Sequence, residues 1–127
     1  MKLKDFDFRL YNADRNEYVP DNYKCQTLAI LKTESNFLEG LGIKIGEIEL
    51  ELFTGIRDKD GEKIYEGDIV AHYAEGGIIE YHSKVVFNQE KGAFEFVCIE
   101  YQVIEACDDL ANPDIGVVGN THYYKSR

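Results

Sequence analysis

A chain of 127 residues with 44% apolar side chains, seven Phe and nine Tyr can bury one modest core and is too apolar to be disordered. Its formal net charge is −10, from 14 basic and 24 acidic residues, and the excess lies late: from Glu66 to Tyr124 there are 11 acidic side chains against Lys84 and Lys91, a poor surface for phosphate backbones. No run approaches the roughly 18 to 20 apolar residues of a membrane helix, and the three cysteines, Cys25, Cys98 and Cys107, are odd in number and lack CxxC spacing. The expectation is a soluble protein of a reducing cytoplasm, without membrane segment, disulfide framework, metal or cofactor.

The start, FDFRLYN, alternates with Phe6, Phe8 and Leu10 on one face and predicts a strand, then a hairpin or loop through NADRNEY that Pro20, Asp21 and Asn22 close. Between Tyr23 and Gly46 the signals conflict, because Leu28, Leu31, Leu38 and Leu41 have partly helical spacing while Gly40, Gly42 and Gly46 interrupt it. That segment reads as a strand or short helix followed by a glycine-rich turn. In EIELELF, Ile48, Leu50 and Leu52 alternate with Glu47, Glu49 and Glu51, which predicts a strand with its carboxylates wet and its aliphatic face buried.

From Gly67 onward the runs DIVAHY, IIEY, KVVFN and AFEFVCI are separated by EGG, QEKG and polar residues, the pattern of a small all-β barrel or roll. Phe94, Phe96 and Cys98 then share a face either with Lys84, Val86 and Asn88 or with Val85 and Phe87, according to a register that alternation leaves open. QVIEACDDLANPD reads as a helical turn ended by Asn112 and Pro113, and IGVVGN as a last short strand.

The stretch TGIRDKDGEKIYEGDIV, residues 54–70, invites a calcium reading that fails on counting. With Gly61 at position six of an EF-hand loop the twelfth position falls on Gly67, not on glutamate; starting at Asp58 puts Lys63 where glycine is needed. The glycines at 55, 61 and 67 are followed by neither a Lys-Ser/Thr end nor a predicted helix, so they are not a phosphate loop either. A turn accounts for the residues: Asp58 accepts from nearby N–H groups, Lys59 and Asp60 suit the centre of a type I turn, and Gly61 supplies the left-handed residue of a bulged hairpin. Glu66-Gly67-Asp68 is a second tight turn. Asp58, Gly61 and Gly67 are therefore assigned structural turn roles.

This stretch closely resembles the hallmark segment of the YopX-like family of small phage and prophage proteins. Phe53, Thr54, Gly55, Asp58, Gly61, Ile64, Tyr65, Glu66, Gly67, Asp68, Ile69 and Val70 match it, as do Val117, Val118, Gly119 and Asn120 near the end; FDFRLYNADRNEY is similar more loosely, and THYYKSR departs from the family's usual ending. The resemblance implies a phage-derived protein of the host cytoplasm and an SH3-like β-barrel or roll over 53–127, preceded by a small β (α+β) segment over 1–52. It implies no activity.

The residues supply no reaction. His72, His82 and His122 are dispersed, with no metal-ligand spacing to one another or to Cys98, and Glu66 and Asp68 flank a glycine without the environment that splits a catalytic carboxyl pair. The tyrosines at 65, 73, 81, 101, 123 and 124 are many for a short β region and read first as packing, then as a recognition surface. The expected function is a non-enzymatic protein-interaction module for a host or phage protein, with Tyr65, Glu66, Asp68 and Tyr73 as its binding surface and a second copy of the chain as an admissible partner. The alternative is a nucleic-acid-associated factor that stacks bases on barrel aromatics, which the acidic second half opposes.

Overall fold

The computed structural model describes residues 6–33, 48–101, 103–106 and 114–123, and is mainly β with one short helix. The chain divides into two units, Asp7–Leu52 and the segment from Phe53 onward. Strand β3, Ile48–Arg57, contributes its first half to one and its second half to the other.

In the first unit, β1 (Phe8–Asn12) pairs antiparallel with β2 (Glu17–Tyr18) and with the start of β3, Phe8 opposite Leu52 and Asn12 opposite Ile48. The turn between β1 and β2 is held by Asn12 Oδ1, which accepts from the N–H groups of Asp14 and Arg15. The conflicted segment after Pro20 is helical at its start: α1 spans Lys24–Thr33, and the glycines at 40, 42 and 46 lie outside the described residues. Lys24 anchors this helix to β1, its Nζ donating to Asp7 Oδ1 at 2.6 Å and to Phe8 O at 2.8 Å.

The expected faces of β3 are not those observed. Glu51 is buried at 5% exposure, whereas Leu50, expected inside, is 46% exposed. The cause is a cross-strand cation: Arg9 stands opposite Glu51, its Nε 2.7 Å from Oε1, and the Tyr18 hydroxyl donates to the same oxygen at 2.8 Å. The Arg9 guanidinium lies 4.8 Å from the centre of the Tyr18 ring, and Tyr11 meets Tyr18 edge-on, so aromatic side chains cover a hydrogen-bonded ion pair. Alternation reports which residues share a face; here it did not report which face is covered.

In the second unit, the end of β3 pairs with β4 (Lys63–Tyr65), Phe53 opposite Tyr65 and Arg57 opposite Lys63, with a bulge between. A five-stranded antiparallel sheet follows: β5 (Asp68–Tyr73), β6 (Ile79–Asn88), β7 (Ala93–Cys98), β8 (Ile104–Ala106) and β9 (Ile115–Asn120), in the order β8-β7-β6-β5-β9. The first four form a meander and β9 returns beside β5, curling the sheet into a half-barrel. Its core takes one residue from each of five strands: Ile64, Val70, Val85, Phe96 and Ile115, with Ile56 and Val117 against them. The open register settles on Val85 opposite Phe96 and Phe87 opposite Phe94, which puts Lys84 on the other face, in solvent.

Two sequence expectations need correction. IIEY and KVVFN are not separate strands, because His82 and Ser83 between them keep extended backbone and pair with β5, leaving β6 as one strand of ten residues. Part of the expected helical turn, Ile104–Ala106, is instead β8, paired to Glu95–Val97. β-Branched Val103 and Ile104 suit that ladder better than a helix; Asn112 and Pro113 lie outside the described residues.

The inversion on β3 sets a test by chemical denaturation. Glu51→Ala, which leaves Arg9 and the Tyr18 hydroxyl without their acceptor, is expected to cost about 1 to 3 kcal/mol. Leu50→Ala, at a half-exposed position, should cost under about 1 kcal/mol. The opposite order would restore the face assignment read from alternation.

Candidate functional site

The hairpin joining β3 to β4 turns on Asp58. Its Oδ1 accepts from the N–H groups of Asp60 at 2.8 Å and Glu62 at 2.9 Å, while Gly61 N–H donates to Asp58 O and Asp58 N–H to Glu62 O. Gly61 holds φ +83°, where a Cβ is penalised, although nothing lies within 4 Å of the place a Cβ would take. Asp58 Oδ2 reaches farther, accepting from Val117 N–H at 3.0 Å on β9. Two residues earlier on that strand, Ile115 O accepts from Lys59 N–H at 2.9 Å. The tip of the hairpin thus satisfies two backbone groups in the first half of β9, Ile115 O and Val117 N–H, and covers that part of the edge.

Burial raises the Asp58 carboxyl, but the backbone donors Val117, Glu62 and Asp60, together with the Lys59 charge, outweigh it and hold it below the ordinary value of 3.8. Next to it Lys59 Nζ lies 3.9 Å above the centre of the Tyr73 ring. Gly116 passes beneath that ring so closely that a Cβ there would sit 3.2 Å from Tyr73 Cε2.

The second turn is tied just as closely. Gly67 holds φ +87°, donates its N–H to Val85 O at 2.8 Å and accepts from Thr121 N–H at 2.8 Å. Asp68 Oδ2 accepts from Tyr65 N–H at 2.8 Å, and Thr54 Oγ1 donates to Ile64 O at 2.7 Å. The polar residues of the 53–70 stretch and the backbone of Val117 to Thr121 therefore build one structural junction.

The residues expected to form a binding surface are not gathered into one. Asp68 is buried at 2% exposure, and Tyr65 is half-buried with its ring 5.7 Å from that of Phe53. Glu66 is half-buried in the turn. Tyr73, half-buried under Lys59, lies at the other end of β5, roughly 16 Å along the strand from Asp68. Of the remaining tyrosines, Tyr81 stacks on His72 at 4.1 Å, Tyr101 and Tyr123 are exposed, and Tyr124 lies outside the described residues.

Two polar groups of the half-barrel gave no sequence signal. His72 is buried, its Nε2 2.8 Å from Ser83 Oγ, between the Tyr81 face and the Phe96 edge. Ser83 is 1% exposed, which denies a substrate access to its hydroxyl. Nearer the surface, Glu100 receives His82 N–H at 2.8 Å and lies 2.6 Å from His82 Nδ1; burial raises its carboxyl, and the His82 bonds hold it below its usual value. Cys98 is buried, its Sγ 3.8 Å from Glu100 Oε2. Among the described residues from Phe53 onward, no three His, Cys, Asp or Glu side chains bring ligand atoms within 4.8 Å of one another.

One end of the half-barrel is different in kind. β5 ends there, β6 begins, β7 ends and β8 begins, and Ala74 N–H to Ile78 O, Ile99 N–H to His82 O and Cys98 N–H to Val103 O knit the connections. Ile78, Ile79, Ile99, Tyr101, Val103 and Ile104 lie at this end with exposures from 36% to 69%. The available sequence signal was adjacency: in Ile78-Ile79 and Val103-Ile104, neighbouring apolar residues of extended chain point to opposite faces, so both cannot enter one core.

The YopX protein family model matches residues 7–124, and the chain belongs to that family. No curated protein shows detectable sequence similarity to it. Among the described residues, no helix is long and apolar enough to cross a membrane.

The clamp at Asp58 sets a pH test. A carboxyl depressed in the folded state contributes stability that is present above its unfolded value and lost as pH falls through its folded value. Asp58→Asn, which turns an amide donor or a weaker acceptor toward backbone N–H groups, should lower stability by about 1 to 3 kcal/mol at pH 7. The gap from wild type should begin to narrow as pH falls below the ordinary carboxyl value of 3.8 and narrow further as pH passes the lower value of the folded carboxyl. Gly61→Ala should cost about 1 kcal/mol at both pH values, because its penalty is conformational. Thermal melts across the pH range read all three; a gap for Asp58→Asn that is independent of pH would remove the carboxylate from the account.

Proposed function

We propose that this chain is a non-enzymatic protein-interaction module of phage or prophage origin, acting on a host or phage protein in the host cytoplasm. The supporting observation is the division of labour in the half-barrel. The polar residues of the family stretch are consumed by backbone hydrogen bonds, as at Asp58, Asp68 and Thr54, whereas six large apolar side chains stand exposed at one end of the meander. Apolar groups gathered on a surface that is otherwise strongly charged are characteristic of protein contact. The buried His72–Ser83 pair serves packing in this reading, since burial withholds both groups from any substrate.

The test compares wild type with a Tyr101→Ala/Ile104→Ser variant as bait in host lysate, with captured proteins quantified by mass spectrometry. Both side chains are 62% exposed, so the variant should keep its fold by circular dichroism. At least one captured protein should be lost with the variant, and fluorescence titration with single- and double-stranded oligonucleotides at low salt should show no micromolar binding. Identical captures by the two baits, or oligonucleotide binding that weakens steeply with salt, would contradict the proposal.

A further inference from the structure

We infer that residues 99–101, which follow β7, are held to β6 by a proton-sensitive latch: the Glu100 carboxylate grips His82, and protonation of that carboxylate lets the segment part from β6. The latch stands on local geometry and does not depend on the interaction reading above. The β6–β7 ladder runs from Asn88 opposite Ala93 to Ser83 opposite Cys98. One step further, Ile99 N–H still donates to His82 O at 2.8 Å, and His82 N–H donates to Glu100 Oε2, also at 2.8 Å. The other oxygen, Oε1, lies 2.6 Å from His82 Nδ1. One carboxylate thus engages both the backbone and the ring of a single residue, and carries the hold of β6 on the chain past the end of the ladder. Within the segment, Tyr101 N–H is bonded to Cys98 Sγ at 3.3 Å, a weak acceptor.

The grip needs the ionised carboxyl. A carboxylate offers both oxygens as acceptors, whereas the acid gives one of them an O–H of its own and loses the charge that strengthens the bonds. The charge that acts on Glu100 is that of His82. Around the pair, Cys98 of β7 directs its thiol to Oε2 at 3.8 Å, and Ala71, opposite His82 on β5, is uncharged. Glu80 and Lys84, two residues to either side of His82 on β6, have opposite signs. Burial raises the Glu100 carboxyl, but the His82 N–H, the His82 ring, its own N–H and the His82 charge outweigh burial and hold it below the ordinary value of 4.5. A carboxyl depressed in this way stabilises the closed form above its free value and stops doing so as pH falls through its bound value. The latch is therefore closed at neutral pH and opens in acid.

The experiment is amide hydrogen exchange on the full chain by NMR, between pH 7 and about 3, with protection corrected for the intrinsic exchange rate at each pH. Ile99 N–H is bonded to His82 O and not to the carboxylate, so its protection reports opening and not ionisation. Relative to Val85 in the core of β6, Ile99 should lose protection about tenfold or more as pH falls below the ordinary carboxyl value. Glu100→Gln, which takes up no proton in this range, should remove the acid step. Glu100→Ala should leave Ile99 at the low level already at pH 7, with Val70 and Val85 still protected.

Ile99 protection that holds in acid, or an acid step of equal size in Glu100→Gln, would overturn the latch. So would loss of protection at Val70 and Val85 together with Ile99, because the segment would then part from β6 only when the whole unit opens.

Discussion

A single carboxylate closes the second unit. Asp58 accepts from three backbone N–H groups, those of Asp60, Glu62 and Val117, and so shapes the hairpin with one oxygen and binds β9 with the other. β9 is the last strand to arrive and forms one edge of the five-stranded sheet. An edge strand presents unpaired N–H and C=O groups, which invite pairing with another chain. Here Val117 N–H and Ile115 O are taken by the hairpin tip, and Ile115, buried at 2%, is held in the core. The second turn repeats the device on a smaller scale: Gly67 is bonded to Val85 on β6 and to Thr121 just past β9.

This arrangement ties together two stretches far apart in sequence. Asp58 needs a backbone donor at Val117, Gly116 must lack a side chain beneath Tyr73, and Asp68 stands opposite Asn120 across the β5–β9 ladder. The requirement is for backbone geometry and close approach. Residues so engaged serve the fold.

The mainly β class was legible, because alternation and turn residues recur with strand spacing from Gly67 onward, and the tip at Asp58–Gly61 was legible because Asp, Gly and a short polar centre have few other uses in that order. What could not be read was which partner each face meets. Glu51 looked like a solvent residue until Arg9 and Tyr18, 42 and 33 positions away in sequence, were set beside it. Register stayed open for the same reason: Phe96 opposes Val85 through a ladder that alternation permits in either phase. For the candidate binding residues, proximity in sequence did not report proximity in space. Asp68 and Tyr73 share a strand but occupy its two ends, one buried and one beneath a lysine.

The apolar end of the meander is where the fold leaves surface energy uncompensated, and the Asp58 junction is what holds the sheet that presents it. Native-state hydrogen exchange at individual amides tests that dependence most directly. If Asp58 closes the half-barrel, the amides of Asp60, Glu62 and Val117 should be protected to the same level as those of Val70 and Val85 in the core strands, exchanging only when the whole unit opens. Exchange of the Val117 and Glu62 amides at rates typical of an open loop, with Val70 and Val85 still protected, would show that the half-barrel stands without the clamp and would contradict the account.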